Sequence, residues 1–422
     1  ITGDAFAPRN RQALAIDFKK EPPFFDVSPT HKAKTWYLDP RAPKVAQPES
    51  IKRLAQRMNE DFGSNLKHPH EDPNREAVIQ VKDLQVTFGT GRKKFVAVDN
   101  VNFEIYRGET FSLVGESGSG KSVFTKTFMG LLDNNGWIDN GHIYYHDYDL
   151  TTFKKEKDWT KIRGQRIAMV FQDPMTSLNP LKTVGKQIQE AFTLHNKVSK
   201  AEAKARTLEL LADVGIPEPE KRYKQYPHEF SGGMRQRVVI AIAMACVPEI
   251  LICDEPTTAL DVTIQAQILD LLKKLQAKYG LTVIYITHDL GVVANVADRI
   301  AVMYAGDIVE IGTCDEVFYD PKHPYTWALL SSLPQLGIKG EDLYSIQGTP
   351  PNLFQHIQGD AFAPRNPQAL KVDFVARPPY FEVTPTHKAR TWLLDPRAPK
   401  IDPPPHLKNI MNLNRGGDLS NG

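Results

Sequence analysis

The chain has 422 residues, 41% hydrophobic and 24% charged, which suits two or three soluble domains with cores of their own. Its 52 basic and 50 acidic residues leave a net charge of +2, which argues against a nucleic-acid binder resting on a broad basic face. Cys246, Cys253 and Cys314 match no zinc spacing and read as reduced thiols. The most apolar stretch, Val238 to Cys253, is broken by Pro248-Glu249, so no transmembrane helix is expected. No signal peptide is read at the start, and a chain opening on Ile1 is not expected to open on a translation start.

The first element is one half of a repeat. Gly3 to Lys44 and Gly359 to Lys400 match at a constant offset of 356, with 31 identities in 42 positions. The same loop-rich module is therefore expected twice, within 1–58 and within 335–405. A polar connector follows the first copy, with a linker at 59–76. Just before that linker Ile51, Leu54 and Met58 form a short amphipathic patch, with Ser50 as its N-cap. From Ala77 to about Gly115, Val78, Leu84, Val86, Phe88, Val96, Val98, Val101 and Phe103 fall in short, partly alternating runs that predict strands. Phe111 to Val114 is an apolar strand, followed by a helical run through Phe124 and Phe128. Helical spacing returns from Ser199 to Val214, through Ala203, Leu208, Leu210 and Leu211. Ile250–Cys253 and Val283–Thr287 are short apolar strands with helical segments between them. Strands alternating with helices imply a largely parallel sheet. Prolines become frequent from about Ser331, and 406–422 reads as a flexible tail.

The chemistry starts at Gly115-Glu-Ser-Gly-Ser-Gly-Lys121-Ser122, which fits G-x-x-x-x-G-K-[ST] between a strand and a helix. Gly115, Gly118 and Gly120 let backbone N–H groups turn inward onto phosphates, with Ser117 and Ser119 between them, and the helix N-terminus adds positive potential. Lys121 reaches the β- and γ-phosphates of ATP, and Ser122 ligates Mg²⁺. Ile250 to Cys253 ends in Asp254, where a phosphate-binding sheet places a second Mg²⁺ ligand. The adjacent Glu255 is placed to take a proton from an attacking water.

Further motifs carry a resemblance. Ser231-Gly-Gly-Met-Arg-Gln-Arg237 looks like the ABC signature motif and lies 23 residues before Asp254. Phe171-Gln172-Asp173 resembles the Q-loop, Glu255-Pro-Thr-Thr-Ala-Leu-Asp261 the run into the D-loop, and Ile286-Thr-His288-Asp289 the switch histidine. All stand in the order of ABC ATPases, so 77–334 resembles that domain, with a helical subdomain at about 173–238. Asp173-Pro-Met-Thr-Ser-Leu-Asn-Pro180, Tyr226-Pro-His-Glu-Phe-Ser231 and Lys322-His-Pro-Tyr-Thr326 look like the ATPase subunits of oligopeptide and dipeptide importers. The tail around Gly359-Asp-Ala-Phe-Ala-Pro-Arg365 resembles their C-terminal extension. Many relatives carry cysteines there in a spacing that holds an iron–sulfur cluster. Here the comparable positions are Asp360, Asn366, about Asp373, and Thr391, so no cluster is expected in either copy.

The resemblance implies an α/β P-loop fold with a mainly parallel sheet, an antiparallel β subdomain, a helical subdomain and a loop-rich extension. It implies that Phe88, with Phe95 as the nearby alternative, stacks on adenine. Gln172 would touch Mg²⁺ and the water, and His288 would bind the γ-phosphate and orient Glu255. Ser231, Gly233 and Asp261 would act in trans on ATP held by a second homologous ATPase subunit, a heterodimer being favoured. Two transmembrane permease subunits would be the direct partners and a solute-binding protein an indirect one, at the cytoplasmic face of the membrane, with no nucleic acid. The alternatives are a soluble ABC ATPase acting on DNA or ribosomes, or an importer subunit for another small solute such as a metal chelate.

Overall fold

The computed structural model describes residues 16, 19, 23–28, 31–34, 75–90, 93–258, 260–333, 346–355, 357–404 and 407. The Ile51–Leu54–Met58 patch and nearly all of the expected tail lie outside these residues. The chain divides into two compact units, Ile1–His68 and Pro69–Gly422. In the first, β1 (Phe24–Ser28) and β2 (His31–Lys34) form an antiparallel hairpin.

The second unit begins with β3 (Ala77–Thr90) and β4 (Lys93–Tyr106). Alternating residues of both, among them Val86, Val98, Val101, Phe103 and Ile105, enter one core. The parallel sheet starts with β5 (Thr110–Val114), which runs into helix α1 (Lys121–Phe128). Strands β6 (Gly136–Tyr145) and β7 (Tyr148–Asp149) complete the antiparallel sheet in the order β4-β3-β6-β7.

In the larger sheet, β5 is joined by β8 (Ile167–Val170), β9 (Ile250–Asp254), β10 (Thr282–Thr287) and β11 (Arg299–Tyr304), in the spatial order β8-β9-β10-β5-β11, all parallel. Every residue of β9 and β10 is buried. That explains their unbroken apolar runs: a sheet covered on both faces leaves no polar alternation. Between β8 and β9, helices α2 (Val184–His195), α3 (Lys200–Asp213) and α4 (Gly232–Ala243) follow. Ile188, Leu210, Leu211, Val238 and Ile240 share a core with Leu251 and Cys253 of β9. Helix α3 starts where Ser199 and Glu202 form a reciprocal capping box.

Helix α5 (Val262–Tyr279) follows β9, and strand β12 (Asp307–Thr313) pairs antiparallel with β11. A third core joins Val302 and Tyr304 of β11 to Tyr325, Trp327 and Leu330 of helix α6 (Pro324–Ser331) and to Phe362. The expected loop-rich extension is built from turns and single helical turns, but it also enters the sheet. Its two-residue strands β13 (Phe381–Glu382) and β14 (Lys388–Ala389) continue the sheet beyond β12. Strands that short leave no periodicity to read.

Candidate functional site: a nucleotide cleft

The parallel strands end on one edge of the sheet, and the loops after β5, β8, β9 and β10 converge there, as open α/β sheets require. The first loop needs its glycines. A Cβ on Gly115 would lie 2.1 Å from the Met303 carbonyl oxygen, and one on Gly120 would lie 2.5 Å from that of Ala97. Both take positive φ, 155° and 102°, so the loop can wrap tightly before α1 begins at Lys121. The Lys121 ammonium donates to the carbonyls of Gly115 (2.9 Å) and Glu116 (2.8 Å) and to Ser119 Oγ (3.3 Å). Burial pushes its pKa down, against the opposing pull of Glu255 and Asp254. Ser122 Oγ donates to Asp254 Oδ1 at 3.1 Å. Burial pushes the Asp254 carboxyl up while the Ser122 bond favours its charged form.

Glu255 stands at the centre of the remaining groups. Its backbone is held at φ 45°, and its N–H donates to the Ile286 carbonyl at 2.9 Å. Its Oε2 accepts from Gln172 Nε2 and from Thr258 Oγ1, both at 3.0 Å, and its Oε1 lies 3.1 Å from His288 Nδ1. The three residues predicted on separate loops are thus brought into one cluster. Thr258 was not predicted, although its place three residues after Glu255 was a usable signal. A cleft of about 970 Å³ is lined by Gly115, Ser117, Gly118, Gly120, Lys121, Ser122, Gln172, Glu255, Thr258 and His288. Phe95, Leu329, Ile346, Pro350 and Leu353 add apolar surface to its lining. Ser119 is buried behind the loop, and Asp254 lies behind Ser122.

Phe88, expected to stack on adenine, does not line the cleft. It is 8% exposed, and a Cβ on Gly136 would meet its ring at 2.6 Å, so β6 covers it. Phe95, directly opposite on β4 with its ring centroid 5.5 Å away, faces the cleft instead. Ser231, Gly233 and Asp261 line no part of this cleft and sit close to one another. Ser231 caps α4, accepting from Met234 N–H at 3.3 Å, and Asp261 caps α5, accepting from Ile264 N–H at 3.0 Å. A Cβ on Gly233 would lie 2.6 Å from Ile264 Cγ2. In the extension, the residues at the cysteine-comparable positions close turns. Asp360, Asn366, Asp373 and Thr391 accept the N–H groups of Phe362, Gln368, Leu370 and Leu393. Among the described residues no helix is long and apolar enough to cross a membrane.

Comparison with known proteins agrees with this architecture. Residues 98–258 match the ABC transporter family, and residues 309–372 match the C-terminal region of oligopeptide/dipeptide transporters. The chain is 55% identical over 336 residues to the oligopeptide transport ATP-binding protein AmiE of Streptococcus pneumoniae, covering 80% of this chain and 95% of AmiE. It is 57% identical over 336 residues to OppD of Bacillus subtilis, covering 79% and 94%. A solved dimeric ATP-binding cassette in a post-hydrolysis state with ADP and Pi superposes with a TM-score of 0.51 at 32% identity, covering 56% of this chain and 98% of that one. The chain belongs to the ABC transporter family, in the group of oligopeptide and dipeptide transport ATP-binding proteins.

Proposed function

We propose that this chain is the motor of a peptide importer, binding and hydrolysing ATP at the cleft around Lys121. The observation that carries the reading is the Glu255 cluster: one carboxylate held by Gln172, Thr258 and His288 at the mouth of a phosphate loop. Lys121 and the loop N–H groups hold the β- and γ-phosphates. Glu255 accepts the proton of the attacking water, and His288 and Gln172 fix the carboxylate and the water in line with the γ-phosphate. The oxygen atoms of Ser122, Asp254 and Gln172 form a hard donor set that suits Mg²⁺. Bound there with the nucleotide, the ion neutralises charge developing on the phosphates. Phe95 stacks on the base.

A second, homologous ATPase subunit supplies Ser231, Gly233 and Asp261 to this site and receives them in return, with a heterodimer favoured. Two permease subunits cross the membrane, and this chain works at their cytoplasmic face. Peptide delivery falls to a solute-binding protein on the far side.

The test is ATP hydrolysis and peptide uptake by the assembled complex in vesicles, comparing the wild type with Glu255→Gln. Turnover is expected to fall by about 10² to 10⁴ while ATP still binds, and uptake to stop with it. Unchanged hydrolysis would remove Glu255 as the base. Hydrolysis without peptide uptake in the wild type would remove the importer reading.

A further inference from the structure

The extension reaches the phosphate loop directly. Arg365 is bidentate to Glu116, Nη1 to Oε2 at 2.6 Å and Nη2 to Oε1 at 3.0 Å. Glu116 is the second residue of the glycine-rich loop, and its carbonyl is one of the acceptors of the Lys121 ammonium. Its N–H is also taken, donating to Tyr325 Oη at 2.8 Å. Arg365 is itself held: Nε donates to the Gln347 carbonyl at 3.0 Å and Nη1 to Tyr304 Oη at 3.2 Å. Its side chain is 5% exposed and that of Glu116 25%, so the pair is partly shielded from competing water. The stretch anchored by that carbonyl then runs along the cleft. Ile346, Pro350 and Leu353 line it, and Phe354 packs on Phe95 with centroids 4.7 Å apart.

We propose that the C-terminal extension completes the nucleotide site, with Arg365 as a positioning residue that sets the phosphate loop through Glu116 and with 346–354 as the wall against which a purine base lies. The geometry divides the labour. The loop part of the lining is polar, with Lys121 and the loop N–H groups to take the triphosphate. Phe95, Ile346, Pro350 and Leu353 add apolar surface to the same cleft, suited to a flat base. Nucleotide affinity is therefore a property of the cassette and the extension together. This rests on the nucleotide-site reading above and goes beyond it by assigning a second region of the chain to the ligand.

The test measures binding of ATP and of inorganic tripolyphosphate, each with Mg²⁺, to the full-length chain by calorimetry. Leu353→Ser is expected to weaken ATP by about three-fold or more and to leave tripolyphosphate unchanged, because that ligand has no base. Arg365→Ala is expected to weaken both by about ten-fold, with Arg365→Lys intermediate because it keeps the charge and loses the fork. Glu116→Gln, which keeps the size of the side chain and removes the charge that Arg365 pairs with, is expected to resemble Arg365→Ala. Equal effects of Leu353→Ser on the two ligands, or none, would overturn the base wall. Unchanged tripolyphosphate affinity in both Arg365→Ala and Glu116→Gln would overturn the tether. A wild type that binds neither ligand would instead remove the nucleotide site itself.

Discussion

Thr258 shows how closely the Glu255 cluster is specified. Glu255 occupies a left-handed backbone conformation, which costs a non-glycine residue about 1 kcal/mol or more. The cost is met by the bonds that only this orientation allows: N–H to the Ile286 carbonyl, and carboxylate oxygens to Gln172, Thr258 and His288. Thr258→Val keeps the shape and removes one hydroxyl donor. Losing one such bond to a charged acceptor is worth about 1 to 2 kcal/mol. We expect the hydrolysis rate to fall by about five- to thirty-fold with little change in the ATP concentration at half-maximal rate, read from a steady-state ATP titration. An unchanged rate would show that Gln172 and His288 suffice to orient the carboxylate. At the same scale, Phe88 and Phe95 show what motif reading left open. Both are aromatic and directly paired, but β3 is flanked on both sides by β4 and β6, whereas β4 is an edge strand. Only the edge residue has an open side, and spatial strand order is not written in either residue's neighbourhood in sequence. Lys121, Ser122, Asp254 and Glu255 were legible because backbone geometry and phosphate chemistry constrain every position of their motifs.

Helix α6 depends on one buried imidazole at its start. His323 Nδ1 accepts the Tyr325 N–H at 3.0 Å, which caps the helix and requires that nitrogen to be unprotonated. Burial pushes the His323 pKa down to about 4 from an ordinary 6.5. The folded chain thus stays neutral here while the unfolded chain takes up a proton. Stability attached to His323 is full above about pH 6.5, is lost as pH falls toward 4, and changes no further below that. Glu310 accepts the His323 backbone N–H at 3.0 Å, and Asp360 Oδ2 lies 3.9 Å from the ring Nε2. Asp360 is pushed up to about 7 by burial, so its own titration acts in the opposite sense. His323→Asn keeps a capping side chain that does not titrate. In urea unfolding, the wild type is expected to lose about 2 kcal/mol more than the variant between pH 7 and pH 5, although the variant starts lower. Parallel pH profiles would show that the ring is not held neutral. Such a cap, like the short strands β13 and β14, escapes periodicity, because a single residue at a helix start or a two-residue ladder is too short to show a repeat. Strands β9 and β10 were legible for the opposite reason: burial on both faces makes each a self-contained apolar run.

Over the whole molecule, the repeat is matched in structure as well as in sequence. Phe25 pairs with Ala33 and Asp26 with Lys32 in the first hairpin, while Phe381 pairs with Ala389 and Glu382 with Lys388 in the second, the same register 356 residues on. The copies diverge where the second meets β12. Arg377 bridges Asp99 at 2.6 Å and Asp307 at 2.7 Å, and Arg390 approaches Asp307 at 3.4 Å. Tyr380 Oη donates to the Ile308 carbonyl at 2.7 Å, under the Arg390 guanidinium. At the corresponding positions the first copy has Glu21, Lys34 and Phe24, so the residues around Asp307 are among the eleven of 42 that differ. Giving the second copy the first copy's residue, Arg377→Glu, sets a third carboxylate beside Asp99 and Asp307 and leaves Asp307 with Arg390 alone. Arg377 and Asp99 are each about one-third exposed, so breaking these pairs costs less than the about 3 to 5 kcal/mol of a fully buried one. We expect hydrogen exchange to accelerate at the β12–β14 and β13–β14 pairings and to stay slow in β9 and β10, whose bonds do not depend on the extension. Because Arg365 and the Leu353 wall belong to the same extension, ATP affinity is expected to fall with it. Faster exchange with unchanged ATP affinity would separate the docking of the hairpin from the nucleotide site, and unchanged exchange would show that the third core around Phe362 holds the extension without help from Asp307.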